Sequence, residues 1–264
     1  MAGIVDLSSA SVIVTGGSRG IGRGIAERFL AEGAGVVICA RRQPDELPTS
    51  GGREALFVAA DIRDPAAADV VVGAAVDAHG RIDVLVNSAG GAPPVDAATA
   101  SPRFHEAVVR LNLLAPLHVS QRANAVMQQH EAGGAIVNIG SVAALRPAPR
   151  AAAYAATKAG LVNLTRSLAQ EWAPRVRVNC ITAGPVKTED TVAHYGGDAG
   201  VAAVGATIPL GRMCDPDDIA DACLYLVSPL ARYVTGANLV LDGGGERPAY
   251  LDAVEEASRR GSAP

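Results

Sequence analysis

Tyr154 and Lys158 stand four residues apart in a segment whose small residues favour a helix, so their side chains share one helix face. A phenol has an ordinary pKa near 10 and exchanges protons poorly at neutral pH. An ammonium group beside it favours the phenolate and lowers that pKa. The pair therefore indicates proton transfer to or from a substrate oxygen. The alternative is a surface tyrosine next to a solvated lysine.

Two further polar residues are candidates for the same chemistry. Ser141 follows an apolar run, where a serine is commonly only a turn residue. Asn112 lies within an apolar helical segment, where asparagine is disfavoured and needs hydrogen-bond partners if it is buried. A satisfied core asparagine is the alternative for Asn112. Whether these residues meet depends on the elements that carry them.

Apolar runs alternate with longer segments of helical period along the chain. Continuous Val/Ile runs are typical of strands buried on both faces, and their alternation with helices predicts parallel βαβ units. We therefore predict an α/β fold, a Rossmann-like, doubly wound parallel sheet of seven strands with helices on both faces. The predicted strands cover residues 11–14, 36–40, 55–59, 82–86, 135–139, 176–181 and 238–241, and the predicted helices 21–31, 65–78, 101–130, 151–172 and 217–227.

The length of 264 residues and the hydrophobic fraction of 49% suffice for one well-filled core. We predict a single catalytic domain over residues 1–245 and a tail or packing arm over 246–264. Residues 187–211 are polar and rich in Gly and Ala without a clear period. They are interpreted as a mobile loop that borders the substrate.

Composition excludes several classes of function. The net charge is −4 without a basic stripe, which argues against a nucleic-acid partner. No apolar run is long enough for a membrane span, and residues 1–6 lack the pattern of a secretory signal. The four cysteines are far apart and the five histidines lack ligand spacing. We therefore expect buried thiols in a reducing cytoplasm and no metal site.

A glycine-rich turn follows the first predicted strand and precedes a helix. Glycines let a backbone turn sharply and approach a pyrophosphate, while the helix start offers unpaired N–H groups. This context favours a phosphate-binding loop over an ordinary βα turn. The candidate residues of the loop are Gly16, Ser18, Arg19, Gly20, Ile21 and Gly22.

The spacing of that turn, TGxxxGxG, resembles the pattern of the short-chain dehydrogenase/reductase family. The resemblance covers residues 6–245, and within the family the chain is similar to 3-oxoacyl-ACP reductase-like members. Asn87-Ser88-Ala89-Gly90 is similar to the family's NNAG, with Ser in place of the second Asn. The segment from Ala183 to Thr188 resembles its PGxxxT, with Ala in place of Pro. The positions that match the family's catalytic tetrad are Asn112, Ser141, Tyr154 and Lys158.

The resemblance implies a role for each tetrad residue. Tyr154 would be the general acid/base that protonates a carbonyl oxygen while hydride arrives from a nicotinamide. Lys158 would lower the pKa of that tyrosine and hydrogen-bond the nicotinamide ribose. Ser141 would hold the substrate oxygen, and Asn112 would belong to a water-linked proton path from Lys158 to solvent.

The resemblance also implies which residues line the cofactor. Asn87, Ala89 and Gly90 would border the ribose. Val186 and Thr188 would contact the carboxamide and phosphate, although the exchange of Pro for Ala183 is expected to loosen their segment.

The end of the second predicted strand indicates which dinucleotide binds. NAD sites place a carboxylate there, whereas this chain has Arg41, whose guanidinium suits a 2′-phosphate. Arg19 in the glycine loop is a second cation, and Arg42 either assists or faces water. NADP(H) is therefore preferred over NAD(H), with a solvated Arg41 as the alternative. Asp61 and Ile62 resemble the family's adenine-side pair.

The residues expected to set specificity are small or apolar and comprise Val142, Ala143, Leu145, Ala92, Pro93 and the loop 187–211. They suit a neutral or lipophilic ketone, or a 3-oxoacyl thioester, with Arg146 and Arg150 as the only candidates for binding an anion. We therefore expect an NADP(H)-dependent oxidoreductase that interconverts a carbonyl and a secondary alcohol.

A catalytically idle dinucleotide sensor on the same fold is the alternative, and dehydratase or epimerase chemistry is disfavoured by the short chain. Ala-rich faces over residues 103–128 and 151–172 resemble the family's dimer surfaces. They predict a homo-oligomer, a tetramer or possibly a dimer.

Overall fold

The structure is a computed structural model that describes residues 6–261. Residues 1–5, on which the expected absence of a secretory signal rests, lie outside the described part, as do residues 262–264 of the predicted tail. Within residues 6–261, no helix has the length and apolar character needed to cross a membrane. Over the same residues, no group of three or more His, Cys, Asp or Glu is placed to hold a metal ion.

Seven parallel strands form one sheet, as predicted. The strands are β1 Ser11–Thr15, β2 Gly35–Ala40, β5 Leu56–Ala59, β6 Val84–Asn87, β7 Gly134–Ile139, β8 Val176–Ala183 and β9 Asn238–Leu241, and a separate antiparallel pair is formed by β3 Thr49–Ser50 and β4 Arg53–Glu54. The order across the sheet is β5-β2-β1-β6-β7-β8-β9. The chain therefore runs outward from β1 in one direction and then returns to build the other half, which is the doubly wound topology.

Helices connect the strands. They are α1 Gly20–Ala31, α2 Ala66–His79, α3 Pro102–Val109, α4 Ala115–Met127, α5 Ala152–Trp172, α6 Glu189–His194, α7 Asp198–Ala206, α8 Pro216–Val227 and α9 Ala249–Gly261. A π-helical turn over Arg110–Leu114 joins α3 to α4, and single 3-10 turns cover Val142–Ala144 and Pro229–Ala231. The sequence predicted one uninterrupted helix over residues 101–130, so the π turn is a correction.

The sheet separates two apolar layers, which explains why its strands do not alternate in polarity. Val12 and Val14 of β1 face the layer that contains Ile25 and Phe29 of α1, whereas Ile13 faces the opposite layer. Helices α1 and α8 cover the first face, while α2, α4 and the end of α5 cover the second. Side chains of both orientations are thus buried, as expected for a parallel sheet.

The interpretation of residues 187–211 as a mobile loop is wrong about its secondary structure, because the segment contains α6 and α7. The short α6 is stabilised by a capping box, in which Thr188 Oγ1 accepts from Thr191 N and Thr191 Oγ1 accepts from Thr188 N. Helix α7 consists almost entirely of Ala, Gly and Val, so it has no polar face that would reveal a helical period.

The predicted tail also carries a helix, α9, and its side chains are exposed from residue 252 to residue 260. Arg247, just before the helix, pairs with Asp252 and Glu255 in its first turns. The pair β3–β4 was likewise missed. Gly51 and Gly52 join its strands with φ of 59° and 75°, and a Gly-Gly dipeptide is a hairpin signal that the sequence offered.

Candidate active site

The carboxyl ends of the parallel strands bring the predicted motifs to one edge of the sheet. Thr15, Asn87, Ile139 and Ala183 are the last residues of β1, β6, β7 and β8, which are neighbours in the sheet. The glycine loop, the turn after Asn87, the serine turn and the segment after Ala183 therefore start side by side. Ligands bind at this edge in open α/β sheets.

The Ser141 hydroxyl lies near enough to the Tyr154 phenol to influence its pKa. Ser141 precedes the 3-10 turn, where its Oγ also accepts from Ala143 N at 3.2 Å. Burial raises the pKa of the Tyr154 phenol, and the hydrogen bond with Ser141 lowers it by less. The net direction of the Tyr154 pKa is therefore opposite to the one expected from Lys158, because burial dominates. The ammonium lies 5.6 Å from the centroid of the phenol ring and donates elsewhere.

Lys158 is a buried cation whose Nζ donates to Ile139 O at 2.7 Å. Burial lowers its pKa to about 8, while the nearby thiol of Cys180 has a weak opposing effect. A carbonyl oxygen offsets only part of the hydration that an ammonium loses. The Lys158 ammonium therefore releases its proton at a lower pH than an exposed lysine does.

Asn112 lies in the π turn and is completely buried. Its Nδ2 donates to Val108 O at 2.9 Å and to Gly91 O at 3.1 Å, and its Oδ1 accepts from Gly91 N at 2.8 Å. A Cβ placed on Gly90 would lie 2.9 Å from Asn112 Oδ1 and 3.2 Å from Lys158 Nζ. Both polar groups therefore border the side-chain position of Gly90, which brings Asn112 into the site and makes the π turn a local feature of it.

A buried polar network holds the strand ends together. Asn87 Nδ2 donates to Ser120 Oγ at 2.9 Å and to Asn138 Oδ1 at 2.8 Å, and Asn138 Nδ2 donates to Thr165 Oγ1 at 2.9 Å. These bonds join β6 and β7 to α4 and α5. Among the described residues, the buried Asn87 Oδ1 is left without a partner, so it is an acceptor available at the predicted ribose position.

Thr15 fixes the turn after β6, a role that the sequence analysis missed. Its Oγ1 accepts from Ser88 N and from Ala89 N, both at 3.1 Å. Ala89 in turn lies close to the glycine loop, since a Cβ on Gly16 would be 2.8 Å from Ala89 Cα. The predicted loop and the predicted turn are thus packed against each other.

The glycine loop has the geometry of a phosphate cradle. Gly16 and Gly20 have φ of 67° and 53°, and a Cβ on Gly22 would lie 2.3 Å from Gly16 O. The N-cap position of α1 is Arg19, whose side chain does not cap the helix. The first N–H groups of α1, which begin at Gly20 and Ile21, are therefore available to an anion beside Ser18. These features fit a dinucleotide pyrophosphate.

Arg41 and Asp61 follow β2 and β5, which are paired up to Ala40 and Ala59, so the two side chains are neighbours. The positive charge of Arg41 is accordingly one of the effects that lower the pKa of Asp61. The largest cause of that lowering is the side-chain hydrogen bonding from Arg63, which takes both carboxylate oxygens. An adenine amino group would share Asp61 with Arg63. Ile62 is buried in the core, and Arg42 is exposed.

Arg19 points to the segment on the other side of the loop and pairs with Asp190 of α6 at 2.8 Å. Both side chains are mostly exposed, at 70% and 67%, so the pair contributes at most about 1 kcal/mol. Thr188 also touches the loop, since a Cβ on Gly20 would be 3.3 Å from its Cγ2. Helix α6 therefore borders the phosphate cradle.

The segment that begins with Ala183, where the family pattern has Pro, is anchored to the sheet. Ala183 is the buried last residue of β8 and pairs with Leu241 of β9. Val186 is buried and forms an isolated parallel bridge with Cys214. The start of the segment is thus tied to the sheet, and Thr188 follows as the N-cap of α6.

The residues predicted to set specificity fall into two cavities. Ala92 and Pro93 line a space of only about 10 Å³ together with Tyr154 and Arg150. Val142 and Leu145 line a larger cavity of about 100 Å³, to which Ile208 from the predicted loop contributes. Arg146, one of the candidates for binding an anion, lies in its wall but is paired with Glu246. Ala143 and Tyr195 line neither cavity.

Comparison with known proteins places this geometry in a family. A family model described as enoyl-(acyl carrier protein) reductase matches residues 16–246. An L-rhamnose 1-dehydrogenase (NAD(P)(+)) of Azotobacter vinelandii is 36% identical over 249 residues, which cover 90% of this chain and 97% of that protein. The 3beta-hydroxysteroid dehydrogenase 1 of Eggerthella lenta is 35% identical over 250 residues, covering 90% and 94%.

Solved structures agree. A short-chain dehydrogenase/reductase variant from Serratia marcescens superposes with a TM-score of 0.82 at 34% identity, covering 90% of this chain and 98% of that one. The chain belongs to the short-chain dehydrogenase/reductase family. The ligand-free aldohexose dehydrogenase of Thermoplasma acidophilum has a TM-score of 0.84 at 30% identity, covering 92% and 96%. As a family member, the chain is an NAD(P)-dependent dehydrogenase or reductase that interconverts carbonyl and alcohol groups.

Gly90→Ala is expected to reduce turnover at least tenfold and to lower the free energy of unfolding by about 1–3 kcal/mol, because the new methyl group overlaps Asn112 and crowds Lys158. Steady-state kinetics and urea unfolding measure the two effects. Gly73→Ala on α2 is the matched control, because nothing lies within 4 Å of its new Cβ, and it should stabilise the chain by about 0.5–1 kcal/mol. Full activity of Gly90→Ala would contradict the placement of these groups.

Lys158→Met is expected to stabilise the chain by roughly 3 kcal/mol below pH 8, since burial lowers the lysine pKa from 10.5 to about 8. Between these values the unfolded chain holds the proton that the folded chain has released. The stability of the unmodified chain therefore gains from rising pH, and the advantage of the variant shrinks towards pH 10.

Urea unfolding of both proteins across this interval measures the convergence. The comparison isolates the lysine because the buried thiols destabilise both proteins alike up to about pH 10. The pKa of about 11 keeps Cys39 and Cys180 protonated in the folded chain, and removal of the Lys158 charge only raises the pKa of Cys180 further. Lys187→Met removes an exposed ammonium and is the matched control. A stability difference for Lys158→Met that is independent of pH would refute the buried charge.

Proposed function

We propose that the chain is an NADP(H)-dependent oxidoreductase in which Tyr154 is the general acid/base for the interconversion of a ketone and a secondary alcohol. The observation that carries the proposal is the Ser141–Tyr154 hydroxyl pair next to the buried Lys158 ammonium. It lies at the same sheet edge as the glycine loop, whose backbone suits a pyrophosphate. A dinucleotide held at this edge would supply the hydride.

The raised pKa keeps the Tyr154 phenol protonated at neutral pH, so it is a proton donor in the reductive direction. Ser141 Oγ would hold the substrate oxygen beside the phenol and orient the carbonyl carbon. When the proton has passed to that oxygen, Ser141 and the nearby Lys158 ammonium stabilise the phenolate that remains. In the oxidative direction the phenolate of Tyr154 accepts the proton from the substrate hydroxyl.

Lys158 would return a proton to Tyr154 and would regain its own from solvent along a water-linked path that Asn112 borders. A Cβ on Gly90 would contact both Lys158 Nζ and Asn112 Oδ1, so the two groups border one backbone position, next to the predicted ribose site. The unpartnered Asn87 Oδ1 supports a ribose contact at the same turn. Val186 and Thr188 would complete the cofactor site from the segment after β8.

Tyr154→Phe is expected to reduce turnover by about 100- to 10,000-fold, because it removes the transferable proton, while NADPH binds within about threefold of the original affinity. A panel of carbonyl substrates followed by NADPH absorbance, with fluorescence titration for binding, measures both. Tyr233→Phe removes the same atom from a fully exposed side chain and serves as the control. NADPH binding without turnover of any substrate by the unmodified chain would favour the idle sensor instead.

The preference for NADP(H) rests on Arg41, which follows β2 where NAD sites carry an acid. Arg41→Ala should weaken NADPH binding about 10- to 100-fold, the value of one or two charge-assisted hydrogen bonds, and leave NADH binding unchanged. Arg42→Ala decides whether the second arginine assists. Arg232→Ala, in an exposed turn before β9, is the control. Equal losses for both dinucleotides would refute recognition of the 2′-phosphate.

A further inference from the structure

The larger cavity beside the serine turn carries an inference that rests on the proposed function and concerns its substrate. Its volume is about 100 Å³, and Val142, the residue after Ser141, lies in its wall. Leu145, Pro185 and Ile208 contribute most of the remaining apolar surface. A substrate whose oxygen is held by Ser141 would extend its carbon skeleton into this space.

A second cavity of about 90 Å³ adjoins the first, because both are lined by Pro185, Ile208 and Asp242. Leu210 and Leu241 line the second part. The two cavities lie side by side between the serine turn and the start of α8, and they are together called the groove below. The groove is mainly apolar, so the charged side chains at its wall decide what else it admits.

Both arginines of the groove are already neutralised. Arg146 forms an ion pair with Glu246, which lies 100 residues further along the chain, after β9. Arg212 binds Asp218 through both guanidinium nitrogens, at 2.6 Å and 2.8 Å. Neither cation is therefore available to a substrate anion without displacing a carboxylate that is part of the chain.

A third carboxylate makes the groove negative. Asp242 lines both cavities, and its Oδ1 accepts from Gly244 N at 3.1 Å rather than pairing with a cation. Two arginines thus face Asp218, Asp242 and Glu246, which leaves one net negative charge on the wall. A substrate carboxylate that displaced Glu246 from Arg146 would leave Glu246 unpaired beside Asp242, so like charges would oppose it.

We propose that Glu246 is the residue that restricts the substrate to uncharged ketones and alcohols, by cancelling Arg146 within the groove. Arg146 without this partner would be a cation at the wall of an apolar groove, which is a site for a carboxylate. Glu246 thus excludes substrates with a carboxylate by occupying Arg146, and it does not itself bind the substrates that are accepted. Of the substrates that the sequence allowed, the groove accepts those that bring no negative charge against its wall.

The test uses a methyl ketone that carries either an ethyl ester or the free carboxylate at its far end, so that the reacting carbonyl is identical. Binding of each compound to the NADP⁺ complex is measured by isothermal titration calorimetry, and turnover is followed by NADPH absorbance. Glu246→Gln keeps the size of the side chain and removes its charge. It should raise the affinity for the carboxylate relative to the ester at least tenfold and shift the ratio of kcat/KM in the same direction.

Two further variants make the result specific. Adding Arg146→Gln to Glu246→Gln should abolish the gain, because the cation that it uncovers is then absent. Glu256→Gln on α9, which removes the same charge from an exposed pair with Arg260, should leave the ratio as in the unmodified chain. An unchanged ratio in Glu246→Gln, or a gain that persists without Arg146, would overturn the proposal.

The two readouts separate this inference from the proposed function. Selective binding that changes as predicted, with no turnover of the ester by the unmodified chain, would refute the proposed reaction and support the role of Glu246. Turnover of the ester with equal affinity for the carboxylate in the unmodified chain and in Glu246→Gln would support the reaction and refute the role of Glu246.

Discussion

The burial of one ammonium group is the constraint on which the site depends. Lys158 donates to Ile139 O at the end of β7, so its charge is held at the strand end by a backbone dipole instead of a carboxylate. This contact requires α5 to lie close to β7, and the bond from Asn138 to Thr165 holds the helix there. The position of Tyr154, one turn earlier on α5, follows from the same packing.

The sequence predicts most of the fold, because strands that are buried on both faces appear as continuous apolar runs. Short elements leave no comparable pattern in the sequence. The seven-stranded parallel sheet is confirmed. Elements without such a signal were missed. The capping box that starts α6 spans only four residues, and α7 has too few polar residues to show a period. The π turn at Asn112 depends on bonds to Gly91, which sequence spacing does not reveal.

The membership of the family was recognised from the residues around the site, whereas the electrostatics of the site required the structure. Spacing places Tyr154 near Lys158, but the direction of the phenol pKa depends on burial, which opposes the expected effect. Pairs that are distant in the chain, such as Arg146 with Glu246, leave no mark in either local sequence. The preference for NADP(H), the assembly into a tetramer and the cytoplasmic location stay predictions.

The contact between Arg19 and Asp190 gives the chain an internal competitor for an anion that approaches the glycine loop. An incoming phosphate must exchange with a tethered carboxylate and not only with water. Because both side chains are exposed, dissolved ions weaken the internal contact and the attraction of the phosphate together, over a screening length of about 8 Å at physiological ionic strength. Ionic strength thus changes both the Arg19–Asp190 attraction and the attraction of Arg19 for a phosphate. Affinities for phosphorylated ligands therefore have meaning only at a stated salt concentration.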